Sequence, residues 1–244
     1  MNKKVVQALL LSLVLMGCSQ EKTEELAHNS EVSLSDHSES ISKGSAQIDS
    51  ATYSESESSS SFTTPKIYSE SEKEAISKEF LDWASYRAEI GGRAVSDYVL
   101  GHVAAGYGDW YANTVNGEIQ IQNIGQGIPG YDNFPIHLIG GVVFYTSSQT
   151  FYGYDERPNS EGIAVGFHRL ADLNMPITRY LLGDDGIVYE LGGTNPDLFS
   201  FSGGYGLYAD DGTKVGGDSQ YIFTVSEDND GQKKFKEILL KFHE

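Results

Sequence analysis

The chain has 244 residues and carries 17 Lys+Arg against 35 Asp+Glu, a formal net charge of −18. A chain this acidic lacks the clustered Lys/Arg that neutralises phosphates, which excludes a nucleic-acid binder. Its single Cys excludes an intramolecular disulfide framework and any Cys-rich zinc site.

Met1-Asn2-Lys3-Lys4 makes a basic start, and an apolar run from Val5 to Met16 follows, interrupted only by Gln7 and Ser12. The run is too short for a bilayer-spanning helix, which needs about 20 apolar residues. A basic flank, a short apolar run and a small residue before a cut site describe a secretory signal peptide. The run ends at Leu15-Met16-Gly17-Cys18. This tetrapeptide resembles the bacterial lipobox, whose Cys thiol is diacylated and becomes the first residue of the mature protein. The resemblance implies residues 1–17 as signal peptide and Cys18 as the lipidated residue. It makes the bilayer a partner and places the chain on the extracytoplasmic face of the cell membrane. Each buried acyl methylene contributes about 0.8 kcal/mol, so two or three chains anchor firmly.

From Ser19 to Pro65, 47 residues hold 15 Ser and nine Asp+Glu against two Lys. Runs such as Ser54-Glu55-Ser56-Glu57 have no apolar period and cannot bury enough surface to offset ordering entropy. Residues 18–65 are therefore predicted to be a disordered, lipid-anchored tether. As a flexible coil it would reach roughly 40 Å.

Residues 66–244 are expected to form one domain, with the fold beginning near Tyr68. Two overlapping capping boxes, Ser69–Glu72 and Ser71–Glu74, open a helix. Ile76, Phe80, Trp83 and Arg87 continue it, Ala84 and Ile90 widen its apolar stripe, and Gly91-Gly92 stops it. Asn116-Gly117 predicts a hairpin turn between Asn113-Thr114-Val115 and Glu118-Ile119-Gln120-Ile121. Strands are expected over Leu138 to Thr146 and Gly162 to Leu170. A second hairpin joins Ile177–Leu182 to Ile187–Leu191 through Gly183-Asp184-Asp185-Gly186. A turn at Asp210-Asp211-Gly212 precedes a strand over Tyr221 to Val225. A closing helix is capped by Asp228 to Asp230 and presents Phe235, Ile238, Leu239 and Phe242. The plan is α+β, an antiparallel sheet of roughly five to seven strands flanked by an N-terminal and a C-terminal helix.

Trp83, Gly108-Asp109-Trp110-Tyr111, Val142-Val143-Phe144-Tyr145-Thr146 and the stretch from Tyr180 to Tyr189 form a pattern. It is similar to an uncharacterised domain family of lipoproteins from lactic-acid bacteria and related Gram-positives. The family implies an α+β domain and extracytoplasmic attachment, and it supplies no catalytic residues.

Gly125-Gln126-Gly127-Ile128-Pro129-Gly130 matches a dinucleotide fingerprint, but Pro129 and Pro135 forbid the helix that would aim N–H groups at a pyrophosphate. It is expected to be a loop, and no cofactor is expected. No zinc-protease spacing and no nucleophile elbow occurs. His102, His168, Asp109 and Glu190 remain as acid–base candidates for an alternative reading, a small cell-envelope hydrolase. Counting Ser226 as position one, Asp228, Asp230, Gly231 and Glu237 fall on the ligand grid of a calcium loop. Lys233 and Lys234 would repel the cation, and a helix cap explains the same acids. Tyr107, Trp110, Tyr111, Tyr152 and Tyr154 alternate with Gly, which predicts an exposed aromatic platform. Such a platform suits a cell-wall glycan, a peptide or a surface protein. The competing expectation is that these rings are core, with Trp110 against the helix bearing Trp83. The leading expectation is thus a binding module of the cell envelope rather than an enzyme.

Overall fold

Ser69 is the residue at which the first helix begins. In the computed structural model its hydroxyl accepts the Glu72 N–H at 3.3 Å, and the Glu72 carboxylate accepts the Ser69 N–H at 2.8 Å. Of the two capping boxes, the first is therefore the one used. Helix α1 (Glu70–Ile90) buries Ile76, Phe80, Ala84 and Ala88, a fourfold spacing that keeps one face inward. Ile90 is exposed instead of extending the stripe. Two residues past Ala88 lie about 200° round the helix.

The structure describes residues 66–100, 108–123, 128–161, 168–193, 203–216, 219 and 221–243. The signal peptide, Cys18, the tether, His102, Tyr107 and residues 162–167 of an expected strand lie outside the described residues. Residues 168–170, the end of that expected strand, are helical. Among the described residues no helix is long and apolar enough to cross a membrane.

Among the described residues nine strands follow α1: β1 (Ala94–Ser96), β2 (Trp110–Thr114), β3 (Gly117–Gln122), β4 (Ile136–Tyr145), β5 (Gly153–Tyr154), β6 (Ile177–Gly183), β7 (Val188–Gly193), β8 (Gly206–Leu207) and β9 (Ile222–Val225). A short helix α2 (Arg157–Glu161) lies between β5 and β6, and α3 (Asn229–Leu240) ends the domain. Both expected hairpins form, β2–β3 across Asn116 and β6–β7 across Asp184-Asp185.

The α+β class holds, but the sheet is mixed rather than antiparallel. Strands run in the order β3-β2-β9-β7-β6-β4, and β4 pairs back onto β3, so six strands close into a barrel. The pairings β1–β5, β2–β9 and β3–β4 are parallel. Parallel partners need a long crossover instead of a tight turn, so no local signal announces them. Here the β3–β4 crossover passes through the Pro-containing loop before Ile136.

Closure gives each strand an inner and an outer side. Val143, Leu181 and Tyr189 pack inside, while their neighbours Val142, Leu182 and Val188 pack outside. Both terminal helices use that same outer patch, with Phe80 and Ala84 of α1 beside Phe235 and Ile238 of α3. They form one layer on the barrel wall rather than flanking a flat sheet. α1 approaches very closely at Gly140, where the β4–β6 register slips: a Cβ there would stand 2.0 Å from Ser77 Oγ. Ser77 instead donates to the Ile139 carbonyl at 3.0 Å.

Candidate functional site

At the start of β4 the chain emerges from a 3-10 turn, Tyr131–Asn133, and brings His137 beside the β6–β7 turn. The Tyr131 ring lies flat on the His137 ring, centroids 3.5 Å apart at 5°. Asp184 holds His137 twice, accepting its backbone N–H at 2.8 Å and facing Nδ1 at 2.7 Å. The other ring nitrogen, Nε2, faces the Tyr131 carbonyl at 3.0 Å. Both nitrogens are thereby engaged, and neither is free for proton transfer to a substrate.

Next to this pair, burial pushes the Asp185 carboxyl up, against hydrogen bonds from the Tyr189 hydroxyl and the Ile187 N–H. Tyr68 meets His243 Nε2 at 2.8 Å. Its hydroxyl is pushed up to about 12 by burial, then by the charges of Asp184 and Glu72. His243 and Asp185 border a cavity of about 540 Å³ walled by Ile67, Tyr131, Phe134 and Pro135 on its apolar side and by Asp132, Asp184 and Asp185, with Lys66 beside them, on its polar side. A second hollow of about 680 Å³ shares Ile67, Tyr131 and His137 and runs on past Gln120 and Gln122 toward Glu70 and Lys73 of α1. The result is a groove with an aromatic wall and polar groups on both flanks, the composition of a recognition surface.

Of the expected aromatic platform, the four described residues do not come together. Tyr111 is wholly buried, pressed beneath Gly206 and tilted against Tyr208 at 4.9 Å. Trp110 is half-buried against the barrel interior, its Nε1 buried without a hydrogen-bond partner. Trp83 belongs to the helix layer and lies under Arg87, so the two tryptophans do not form a common plug. Tyr152 and Tyr154 are exposed at β5, three strands away from β2 through β3, β4 and β1. Gly108 is closed in by the Ile128, Tyr208 and Ala209 carbonyls and Gly206 of β8 by the Tyr111 ring, so these glycines serve close packing.

The acids of the calcium grid are spent otherwise. Asp228 is the N-cap of α3, accepting the Gly231 N–H at 3.1 Å, and Arg87 Nη1 donates to both its oxygens. Burial alone would push its carboxyl up, but Arg87, Gly231 and Tyr180 together hold it below the ordinary range. Among the described residues no group of three His, Cys, Asp or Glu is placed to hold a metal, so Asp230 and Glu237 gain no ligand role.

The acid–base candidates sit in separate networks. Asp109 is buried and accepts from Gln120 Nε2 at 3.1 Å and from the Gly130 N–H at 2.9 Å. The glycine motif thus ends on an internal carboxylate, while Gly125 to Gly127 lie outside the described residues. Glu190 accepts from Ser226 at 2.6 Å, and His168 is exposed in a helical turn. Sequence reasoning passed over Tyr131, His137 and Asp184. The last two are 47 positions apart and share no motif spacing; an Asp in a hairpin turn is ordinary. Compared with protein-family models, with curated proteins and with solved structures, the chain matches none.

Proposed function

We propose that the chain is a lipid-anchored extracytoplasmic protein whose barrel domain is a binding module of the cell envelope. Cys18 would carry the lipid, residues 18–65 would space the domain from the bilayer, and the groove beside Tyr131 would take the ligand. The observation that carries the binding reading is the stacked Tyr131–His137 pair lining a groove in which both His137 ring nitrogens are already bonded, to Asp184 and to the Tyr131 carbonyl. Such a site recognises without offering a free base. An envelope peptide or glycan bearing a cationic group fits the aromatic wall and the acidic flank of Asp132, Asp184 and Asp185. The alternative of an envelope hydrolase has less behind it, since Asp109, His168 and Glu190 do not share a network.

Two measurements test the proposal. Cys18→Ala is expected to shift the protein from the membrane fraction to the soluble one or to leave an unprocessed precursor; unchanged partitioning with normal maturation refutes the anchor. The released full-length protein is then incubated with purified envelope polymers and peptides. Retention is expected, and Tyr131→Ala should weaken it about tenfold, the scale of losing one aromatic contact, whereas exposed Tyr86→Ala should not. Equal retention of the two variants, or none by the parent, refutes the groove.

A further inference from the structure

One charged side chain lies inside the barrel. Arg179 stands on β6, opposite Val143 of β4 and Leu191 of β7, four residues before Gly183 and so about 13 Å along the strand from the groove. It is fully buried, and among the described residues no carboxylate pairs with it. Its guanidinium lies near two aromatic rings, Tyr205 at 5.5 Å and Phe223 at 5.3 Å, whose planes are nearly parallel. Nη1 donates to the Gly203 carbonyl. Among the described residues Nε and Nη2 have no hydrogen-bond partner at bonding distance, and the polar side chain that acts most on the guanidinium is the Tyr205 hydroxyl.

The two vacant donors are not an arbitrary pair. Nε–H and Nη2–H point in parallel from one edge of the planar fork, the edge that meets a carboxylate through two N–H···O bonds. The two rings lie together on one side of the ion and do not bond that edge. A buried guanidinium with an empty fork is costly, since desolvation is offset only when the remaining protons find acceptors. Burial draws its pKa down, and the nearby hydroxyl of Tyr205 offsets this in part.

We propose that Arg179 anchors a carboxylate-binding site inside the barrel, distinct from the groove, which takes a small soluble carboxylic acid through Nε and Nη2. The Tyr205 and Phe223 rings beside the fork favour an acid with an apolar body, and the single fork sets one carboxylate per domain.

The test follows the Arg179 Nε–H resonance and the melting midpoint of the full-length chain. Sodium acetate or N-acetylglycine is titrated against sodium chloride at equal ionic strength. Either carboxylate is expected to move the resonance saturably and raise the midpoint by a few degrees, while chloride does neither. Arg179→Lys keeps the charge and loses the fork, so affinity should fall at least tenfold; Arg179→Leu should abolish the response. Tyr131→Ala should leave it intact, separating this site from the groove. A resonance that chloride moves equally overturns the proposal. So does one already in a bonded position and unmoved by any carboxylate, the mark of an internal partner or a buried water. Should Arg179→Leu fail to fold, the parent titration and Arg179→Lys still decide.

Discussion

Asp228 ties three elements together, and its removal has a calculable effect. Replacing it by Ala deletes the N-cap of α3, a loss of about 1 kcal/mol. It also frees Arg87, whose side chain is 39% exposed against 18% for Asp228. Water can take over that cation, so the ion pair is worth only about 0.5–1 kcal/mol. Tyr180 donates to Asp228 at 3.2 Å and is 7% exposed, so stranding its hydroxyl costs roughly 1 kcal/mol more. Together the change should destabilise by about 2–3 kcal/mol, a fall of roughly 4–12 °C in Tm for a domain of this size. Asp228→Asn keeps a good cap and loses the charge, so it should cost about 1 kcal/mol. The pH dependence has a definite sign. A carboxyl held below its unfolded value contributes stability that is fully present above about pH 4 and is lost as pH falls through the folded pKa. The gap between parent and Asp228→Ala should therefore close on acidification. Thermal melts from pH 7 to pH 2.5, with and without calcium, measure all of this. Equal losses for Ala and Asn would deny the capping role, a gap that does not narrow at all toward the lowest pH would deny the pairing, and a calcium-dependent rise would restore the metal.

Gly140→Ala should destabilise by about 1–3 kcal/mol, because its Cβ would collide with Ser77, and adding Ser77→Gly should recover part of that loss in chemical denaturation. Phe80→Ala, emptying a wholly buried position in the helix layer, should cost about 3–5 kcal/mol, whereas Tyr86→Ala on the exposed face of the same helix should stay within about 0.5 kcal/mol. Trp110→Phe removes a buried N–H that has no partner and keeps an aromatic ring, so urea melts should show a loss below about 1 kcal/mol or a gain.

Local chemistry in the sequence carried the elements and not their closure. Ser69 with Glu72, Asn116-Gly117, and Asp184-Asp185-Gly186 act within a few residues, so each cap or turn could be read directly. Alternation also told the inner Leu181 from the outer Leu182 in principle, but only closure assigned the inside. The pairs Ile119–Ile136 and Asn113–Ile222 that close the barrel join strands without a shared turn, and two-residue strands such as β5 and β8 have too few side chains for a period. The candidate site was hidden for the same reason. Tyr131 and His137 are six residues apart, yet their stacking depends on the 3-10 turn, and Asp184 reaches them only because β4 and β6 are neighbours. The aromatic platform failed because a Gly beside a Tyr signals close packing as readily as a loop, and at Gly206 it is packing.

Closure also decides what the domain can offer a ligand. A flat sheet with helices on it would leave one broad face open; a six-stranded barrel fills most of its inside with side chains and leaves its ends and rims as the open surface for anything larger than a small ligand. The groove occupies such a rim, and the two residues through which the chain enters the domain, Lys66 and Ile67, belong to its lining. Lys66 is held there by Glu72 at 2.9 Å and by the Phe242 carbonyl, while Ile67 is 74% exposed. An apolar side chain left in water at the lip of an aromatic groove gains most from a ligand that covers it. A ligand seated on Tyr131 would therefore cover Ile67 as well. The first described residues of the domain and the groove therefore share one lining, so a substitution at Ile67 alters the groove directly.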